Sequence, residues 1–148
     1  KAYEEKINLI PIIETTIDLY KDASVEIILQ ENEDKIANVI ADKDQVSRVF
    51  SNLIKNSIQA IPENIKGDIS ILIHQEEEHY IIEIKDNGTG ISEDKKDKIF
   101  VPNFTTKNTG MGLGLAMVKN IVENAHGSIW FETKEDVGTS FFVKLPKA

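Results

Sequence analysis

The segment DKDQVSRVFSNLIKNSIQAI, residues 42–61, carries the clearest helical pattern of the chain. Apolar or small residues recur at helical spacing and form one stripe along its side. This stripe comprises Val46, Phe50, Leu53, Ser57 and Ile61. Asp42 or Asp44 is suited to cap the first turn, and Pro62 follows the last one. The segment therefore predicts an amphipathic helix that packs on a core.

A polar strip borders the stripe on the same helix. It comprises Arg48, Asn52, Asn56 and Gln59. Asparagine is a poor helix former, so two asparagines four residues apart at the edge of a core require an explanation. In one interpretation their amide oxygens contact a hard cation and polar ligand atoms, since magnesium takes few protein oxygens and keeps phosphate and water as its other ligands. In the other interpretation both side chains are simply hydrated.

The remaining segments alternate between strand and helix patterns. Strand patterns cover residues 24–30, 36–41, 68–75, 79–85, 128–133 and 139–146. Two hairpins are predicted, one between 24–30 and 36–41 and the other between 68–75 and 79–85. Helical patterns cover residues 7–22, a short polar stretch at 92–100, and a last helix that ends near residue 125. We therefore predict one α+β domain over residues 1–148, a two-layer α/β sandwich with helices packed on one face of a mixed, mostly antiparallel sheet.

The turn DNGTG, residues 86–90, directly follows a strand in which Ile82 and Ile84 share one face. Asp86 continues that face, so its carboxylate is expected to point inward, where it needs a partner. Gly88 and Gly90 would let a flat ring approach the backbone. The alternative is an ordinary Asx turn in which the glycines supply positive φ angles.

The segment NTGMGLGLAMVKNIV, residues 108–122, places three alternate glycines directly before a helix. Glycine costs about 0.5–1 kcal/mol against alanine in regular structure, and a ligand that needs bare backbone could offset that cost. The free amides and dipole of a helix N-terminus attract anions. Lys107 could add a point charge for a phosphate, or be one more exposed lysine.

The composition argues against several kinds of partner and of chemistry. The net charge of −8 argues against a nucleic-acid partner, which requires a basic face. The 148 residues contain no cysteine, so thiolate chemistry and disulfides are excluded. No apolar run approaches the ~18 residues of a membrane span, so no direct membrane contact is expected.

Four motifs follow one another along the chain. They are N-x-x-x-N on the long helix, D-x-G-x-G at 86–90, F-x-x-x-F-T-T-K at 100–107 and G-x-G-x-G-L at 110–115. Their order resembles the ATP-binding (catalytic) domain of bacterial sensor histidine kinases, which belong to a superfamily with gyrase, the Hsp90 chaperones and MutL. The resemblance implies a Bergerat-type ATP-binding fold that holds ATP and Mg²⁺.

Residue by residue, the resemblance implies that Asn56 is the magnesium ligand, that Asn52 lies beside the phosphates, and that Asp86 accepts the adenine amino group. Asn52, Asn56 and Lys107 are the implied catalytic residues. The other implied nucleotide contacts are Gln59, Gly88, Gly90, Ile91, Phe104, Gly110, Gly112, Leu113, Gly114, Leu115 and Thr139. Phe100 and Phe104 would anchor a short lid over residues 105–109. Ser57 departs from the alanine that is commoner at its position.

Asn52 favours a kinase over an ATPase. The sister ATPases and the anti-sigma-type serine kinases resemble one another in carrying a glutamate at this position, as a general base. An amide cannot take a proton near neutral pH, so nothing here activates water or a serine hydroxyl. A neutral imidazole is already a nucleophile and needs no such base.

None of His74, His79 and His126 fits the family's phosphoacceptor motif, which lies on a separate helical dimerisation domain. We therefore expect a cytoplasmic piece of a sensor histidine kinase, with residues 1–7 as a remnant of the linker. Its partners would be the dimerisation domain of the same parent and the receiver domain of a response regulator. The alternatives are an anti-sigma-type serine kinase, a non-catalytic nucleotide-binding interaction module and a stand-alone ATPase.

Overall fold

The computed structural model describes residues 3–21, 24–30, 35–102 and 114–148. Within these residues the chain forms seven strands and three helices. In chain order they are β1 (Glu5–Asn8), α1 (Leu9–Leu19), β2 (Val25–Leu29), β3 (Asn38–Ala41), α2 (Lys43–Ala60), β4 (Gly67–Gln75), β5 (His79–Asp86), α3 (Gly114–Asn124), β6 (Ser128–Lys134) and β7 (Gly138–Pro146).

A five-stranded sheet in the order β2-β4-β5-β7-β6 forms one layer of the fold. β2 runs parallel to β4, and the other neighbours are antiparallel. Alternate residues of the central strands are buried on one face, for example Ile71, Ile84 and Phe141, and join the helices in one core. The predicted α+β architecture, with helices on one face of a mixed and mostly antiparallel sheet, is confirmed.

Helix α2 is the central element of the helical layer. Phe50, Leu53 and Ile54 are completely buried, and each such side chain contributes roughly 1.5–3 kcal/mol to folding. The predicted stripe is confirmed, with Val49 and Ile54 added to it. Asp42 caps the helix by accepting hydrogen bonds from the backbone N–H groups of residues 44 and 45.

The predicted hairpin between residues 24–30 and 36–41 is wrong. β2 joins β4 instead, with Ile27 opposite Ile69, while β3 pairs antiparallel with β1 in a separate two-stranded sheet. The Asn8 side chain explains the second pairing, because its Oδ1 accepts the N–H of Ile10 at 3.2 Å and that of Ala37 at 2.9 Å. One asparagine thus caps α1 and holds the residues before β3 beside it.

The predicted short polar helix at residues 92–100 is also wrong. The backbone forms a series of turns instead, in which the N–H groups of Lys95, Lys98 and Val101 each donate to the carbonyl three residues earlier. The other predicted hairpin, β4 with β5, is confirmed, and β6 and β7 pair antiparallel at the end of the chain.

Candidate functional site

Asp86 is the last residue of β5, and its side chain is 5% exposed. Its Oδ1 accepts the N–H of Gly88 at 2.9 Å and that of Thr139 at 3.3 Å. Burial raises the pKa of this carboxyl group above the usual aspartate range, and the two hydrogen bonds offset part of the increase. The inward orientation predicted from the strand pattern is confirmed, and β7 supplies a partner from across the sheet.

Two threonines connect this aspartate to neighbouring strands. The Thr133 Oγ1 atom accepts the N–H of Ile91 at 2.9 Å and lies 3.2 Å from the carbonyl oxygen of Gly138. It also lies 2.8 Å from the hydroxyl of Thr139. The structure therefore brings Asp86, Ile91 and Thr139 together, and their predicted contact with a base stays a prediction.

The turn after β5 is held against the end of α2. The N–H of Thr89 donates to the carbonyl of Ala60 at 3.0 Å. A Cβ on Gly88 would lie 2.7 Å from that carbonyl oxygen, so only glycine allows the approach. Gly90 has a φ of +76°, and a Cβ there would overlap the Lys134 carbonyl. Both glycines therefore have a packing role, and their predicted contact with a ligand stays a prediction.

Ser57 lies on α2 and is completely buried. A weak interaction with the Ser57 hydroxyl lowers the pKa of the Asp86 carboxyl group, so the two side chains lie close together. However, the Ser57 Oγ has no hydrogen-bond partner within the part of the chain that the structure describes. We call Ser57, Asp86, Ile91, Thr133 and Thr139 the Asp86 cluster.

The second part of the site lies on the polar strip of α2. The half-buried Asn52 donates from Nδ2 to the carbonyl of Arg48 at 2.8 Å. Its Oδ1 lies 2.9 Å from the position that a Cβ on Gly114 would take. The first residue of α3 therefore lies close to the Asn52 amide, and the predicted contacts of Asn52 and Gly114 with phosphate stay predictions.

Asn56 lies one turn further along α2 and is also half-buried. Its side-chain amide makes no hydrogen bond to another described residue. Gln59 is half-buried on the same strip. We call Asn52, Asn56, Gln59 and Gly114 the asparagine face.

Two other predicted residues, Leu115 and Phe100, pack in or against the hydrophobic core. The Leu115 side chain is buried in the core, so a contact with phosphate would have to come from its backbone. Phe100 packs against Phe131 and Phe141, with the Lys119 ammonium 5.6 Å from its ring centroid. The predicted lid at 105–109 lies outside the described residues, and so do five predicted site residues, Phe104, Lys107, Gly110, Gly112 and Leu113.

Sequence reasoning missed three residues of the site. Thr133 and Gly138 act through the geometry of β6 and β7, and a Cβ on Gly138 would overlap the Asp86 carbonyl. Asn87 holds the turn after β5 against the beginning of β4. Its side chain accepts the N–H of Asp68 at 2.8 Å and donates to the Lys66 carbonyl at 3.0 Å. The glycine-threonine pair at 138–139 was visible in the sequence, whereas the role of Thr133 depends on strand register.

The donor set fits a nucleotide better than a metal alone. No cluster of three metal-ligating side chains occurs among residues 3–21, 24–30, 35–102 and 114–148. A magnesium ion at the asparagine face would therefore depend on amide oxygen, water and the phosphates of its ligand. The buried carboxylate of Asp86 suits a ligand that donates a hydrogen bond. None of the described helices could cross a membrane.

Comparisons with known proteins identify the family of the chain. Residues 41–148 match the family described as "Histidine kinase-, DNA gyrase B-, and HSP90-like ATPase". The chain is 35% identical over 148 residues to Sporulation kinase E of Bacillus subtilis (strain 168), an alignment that covers 97% of this chain and 20% of that protein. The chain therefore spans a fifth of the length of that relative.

Solved structures give the same result. The catalytic domain of histidine kinase ThkA superposes with a TM-score of 0.86 at 31% identity, covering 98% of this chain and 96% of that one. ThkA in complex with the response regulator protein TrrA superposes with a TM-score of 0.80 at 28% identity, covering 99% of this chain and 42% of that one. The chain belongs to the family of histidine kinase-, DNA gyrase B- and HSP90-like ATPases, and its fold is that of the histidine kinase catalytic domains.

Proposed function

We propose that this chain is the ATP-binding catalytic domain of a two-component sensor histidine kinase. It binds Mg-ATP and presents the γ-phosphate to a histidine on a helical dimerisation domain of the same parent. A response regulator then receives the phosphoryl group. Membership of the family and the likeness to histidine kinase catalytic domains support this proposal.

The Asp86 cluster would hold the adenine. An ionised carboxylate accepts hydrogen bonds at both oxygens and donates none, and Asp86 already accepts two N–H groups through Oδ1. The adenine amino group is a donor and would complete the set. Guanine presents a carbonyl oxygen at the same position, and two facing acceptors without a proton between them are unfavourable.

The asparagine face would hold the phosphates and magnesium. Asn56 would offer its amide oxygen to the metal, which neutralises phosphate charge when bound. The N-terminus of α3 begins at Gly114 beside Asn52, and the free N–H groups of a helix N-terminus favour an anion there. Lys107 is proposed as a further phosphate contact on the basis of its motif position alone.

The observation that carries the choice of a histidine acceptor is the absence of a carboxylate on this part of α2. The last acidic residue of α2 is Asp44, eight residues before Asn52 and about 12 Å away along the helix axis. The Asn52 side chain donates an N–H to the carbonyl of Arg48, and because it is an amide it cannot accept a proton near neutral pH. The site would therefore align an incoming nucleophile without deprotonating it, which suits a neutral imidazole.

The partners and location are proposed by analogy. ThkA has been solved in complex with the response regulator TrrA, and we propose a partner of the same class for this chain. The net charge of −8 disfavours nucleic acid. We also propose that this part of the parent protein functions in the cytoplasm, where ATP is available.

Calorimetric titration with Mg-ATP and Mg-GTP tests the first half of this proposal. We expect binding of ATP, much weaker binding of GTP, and a large fall in ATP affinity in Asp86→Asn. Equal affinity for both nucleotides would show that Asp86 does not read the base.

Phosphotransfer in trans tests the second half. The chain is mixed with the separately produced dimerisation domain of its parent and labelled ATP, and the labelled residue is identified. We expect label on histidine that disappears in Asn56→Ala. Label on serine of another protein would favour the anti-sigma-type alternative. Steady phosphate release without an acceptor would favour an ATPase, and binding without any transfer would favour an interaction module.

A further inference from the structure

A groove with a volume of about 440 Å³ lies between α1 and α2. It adjoins the asparagine face, because Asn52 is also one of its lining residues. Ile12 contributes a buried apolar surface to the groove, and the exposed Pro11 and Leu19 extend that surface toward solvent. We call this feature the α1–α2 groove, lined by Pro11, Ile12, Leu19, Lys43, Arg48 and Asn52 with the small polar residues between them.

The end of the groove that contains Leu19 lies beside the asparagine face. Leu19 is the last residue of α1, and its side chain is 74% exposed. The Tyr20 hydroxyl, next to it in the chain, lies 2.7 Å from the Ser51 Oγ, which holds this end of α1 beside the turn of α2 that carries Asn52. A single exposed leucine is common, but this one continues the apolar surface of a groove, which is typical of a binding surface.

The charge of the groove is opposite to that of the whole chain. Among the described residues that line it, Lys43 and Arg48 are the only charged ones, although the chain has 25 acidic and 17 basic residues. Neither of these two side chains forms an ion pair or a hydrogen bond with another residue that the structure describes. The groove therefore favours a partner that combines apolar with acidic side chains.

The length of the groove favours a helix as this partner. From Lys43 to Asn52 it follows nine residues of α2, which is about 13 Å at 1.5 Å per residue. About two and a half turns of a second helix have the same length, enough for apolar contacts at positions i, i+3 or i+4, and i+7. Because the groove includes Asn52, a helix that lies in it would reach the phosphates that we propose to bind there.

We propose that the α1–α2 groove is the docking site for the histidine-bearing helix of the dimerisation domain. Apolar side chains of that helix pack on Ile12 and Leu19, and its acidic side chains pair with Lys43 and Arg48. This inference rests on the proposed function of the chain and adds to it a defined surface for the acceptor. The groove sets where the helix lies, and the asparagine face holds the phosphoryl group that the histidine receives.

Leu19→Glu tests the apolar contact. The residue is exposed at the end of a helix, so the change should leave the fold and the ATP site intact. The rate of histidine labelling is measured against the concentration of the dimerisation domain at saturating Mg-ATP. We expect the half-maximal concentration to rise about tenfold, with the same rate at saturation and the same ATP affinity by calorimetry. Ile28→Glu is the matched control, because Ile28 is 44% exposed on the face of the sheet that points away from the helices.

Lys43→Glu tests the charge of the groove. We expect a several-fold rise in the same half-maximal concentration, and the difference from the unmodified chain should shrink at high salt, since exposed charges are then screened. Lys85→Glu reverses an equal charge at an exposed position on the opposite face of the sheet. It should leave the half-maximal concentration unchanged.

Three results would overturn the docking site. The first is an unchanged half-maximal concentration in Leu19→Glu, and the second is an equal rise in Ile28→Glu. The third is a loss of ATP affinity in Leu19→Glu, which would make the groove part of the nucleotide site. Normal histidine labelling with slower transfer to the receiver domain would instead assign the groove to the response regulator. If the unmodified chain binds no ATP or labels no histidine, the proposed function itself fails.

Discussion

The two halves of the site differ in how completely they are satisfied by the protein itself. In the Asp86 cluster, the carboxylate accepts two backbone N–H groups, and the threonine hydroxyls bond to each other and to the backbone. On the asparagine face, Asn52 makes one bond to its own helix, and Asn56 makes none to a described residue. One half is fixed before any ligand arrives, and the other presents polar atoms that a ligand must satisfy.

Because of this difference, we expect the Asp86 cluster to recognise the base and the asparagine face to bind the phosphates and the metal. A base is a rigid, flat group with a fixed pattern of donors and acceptors, so a preorganised cluster can discriminate between bases at little entropic cost. The phosphates and a metal need oxygen ligands and charge neutralisation, and amide oxygens that make no hydrogen bond to a described residue could serve as such ligands. Mutations in the two halves should therefore have different consequences.

Asp86→Asn should have the largest effect on affinity. The amide keeps the shape and the two backbone contacts of the carboxylate, but its NH₂ group would oppose the adenine amino group. We expect ATP affinity to fall about a hundredfold, since hydrogen bonds to a charged group are strong and an opposed pair adds a penalty. Calorimetric titration measures the change. Asp68→Asn, which removes the same charge from an exposed position, should bind ATP normally.

Gly88→Ala in the turn beside Asp86 should lower the free energy of unfolding more than Gly114→Ala on the asparagine face does. The new Cβ would meet the Ala60 carbonyl at 2.7 Å, where neither backbone can yield easily, so we expect a loss of about 2 kcal/mol in the free energy of unfolding. In Gly114→Ala the clash is with the end of the Asn52 side chain at 2.9 Å, which can rotate away.

Urea unfolding of both glycine variants measures the comparison. Gly114→Ala should lose less than about 1 kcal/mol, because alanine also favours the helix that begins there. Equal losses in the two variants would show that the asparagine face is as rigid as the Asp86 cluster.

Features that depend on local spacing were predictable from the sequence, and features that depend on long-range contacts were not. Asp86 was predictable because strand alternation fixes the direction of its side chain, and the stripe of α2 was predictable from helical spacing. Thr133 was not, because its role depends on the register that sets it opposite Thr139 across β6 and β7. The pairing of β3 with β1 was missed for a similar reason, since the Asn8 contacts that hold it are long-range.

Asn56→Ala should have a moderate effect that depends on magnesium. Because the amide makes no hydrogen bond to a described residue, its removal should leave the stability unchanged or slightly higher. We expect about a tenfold loss of ATP affinity with magnesium present and little change with a chelator, measured by titration under both conditions. Lys55→Ala, the exposed neighbour on the same helix, should show neither effect. A loss of the same size with the chelator would assign Asn56 to the phosphates instead of the metal.

The smallest effect concerns the pH dependence of stability. Burial raises the pKa of Asp86 in the folded chain above its value in the unfolded chain, so between these two pKa values the folded state holds more protons. This residue therefore contributes a loss of stability as pH rises through that interval. Asp86→Asn removes the titrating group while keeping its two acceptor contacts. The free energy of unfolding of the variant, minus that of the unmodified chain, should increase as pH rises from the usual aspartate range toward neutrality. Urea unfolding of both proteins over this range measures the difference, and a constant or falling difference would show that the carboxylate is fully stabilised by its surroundings.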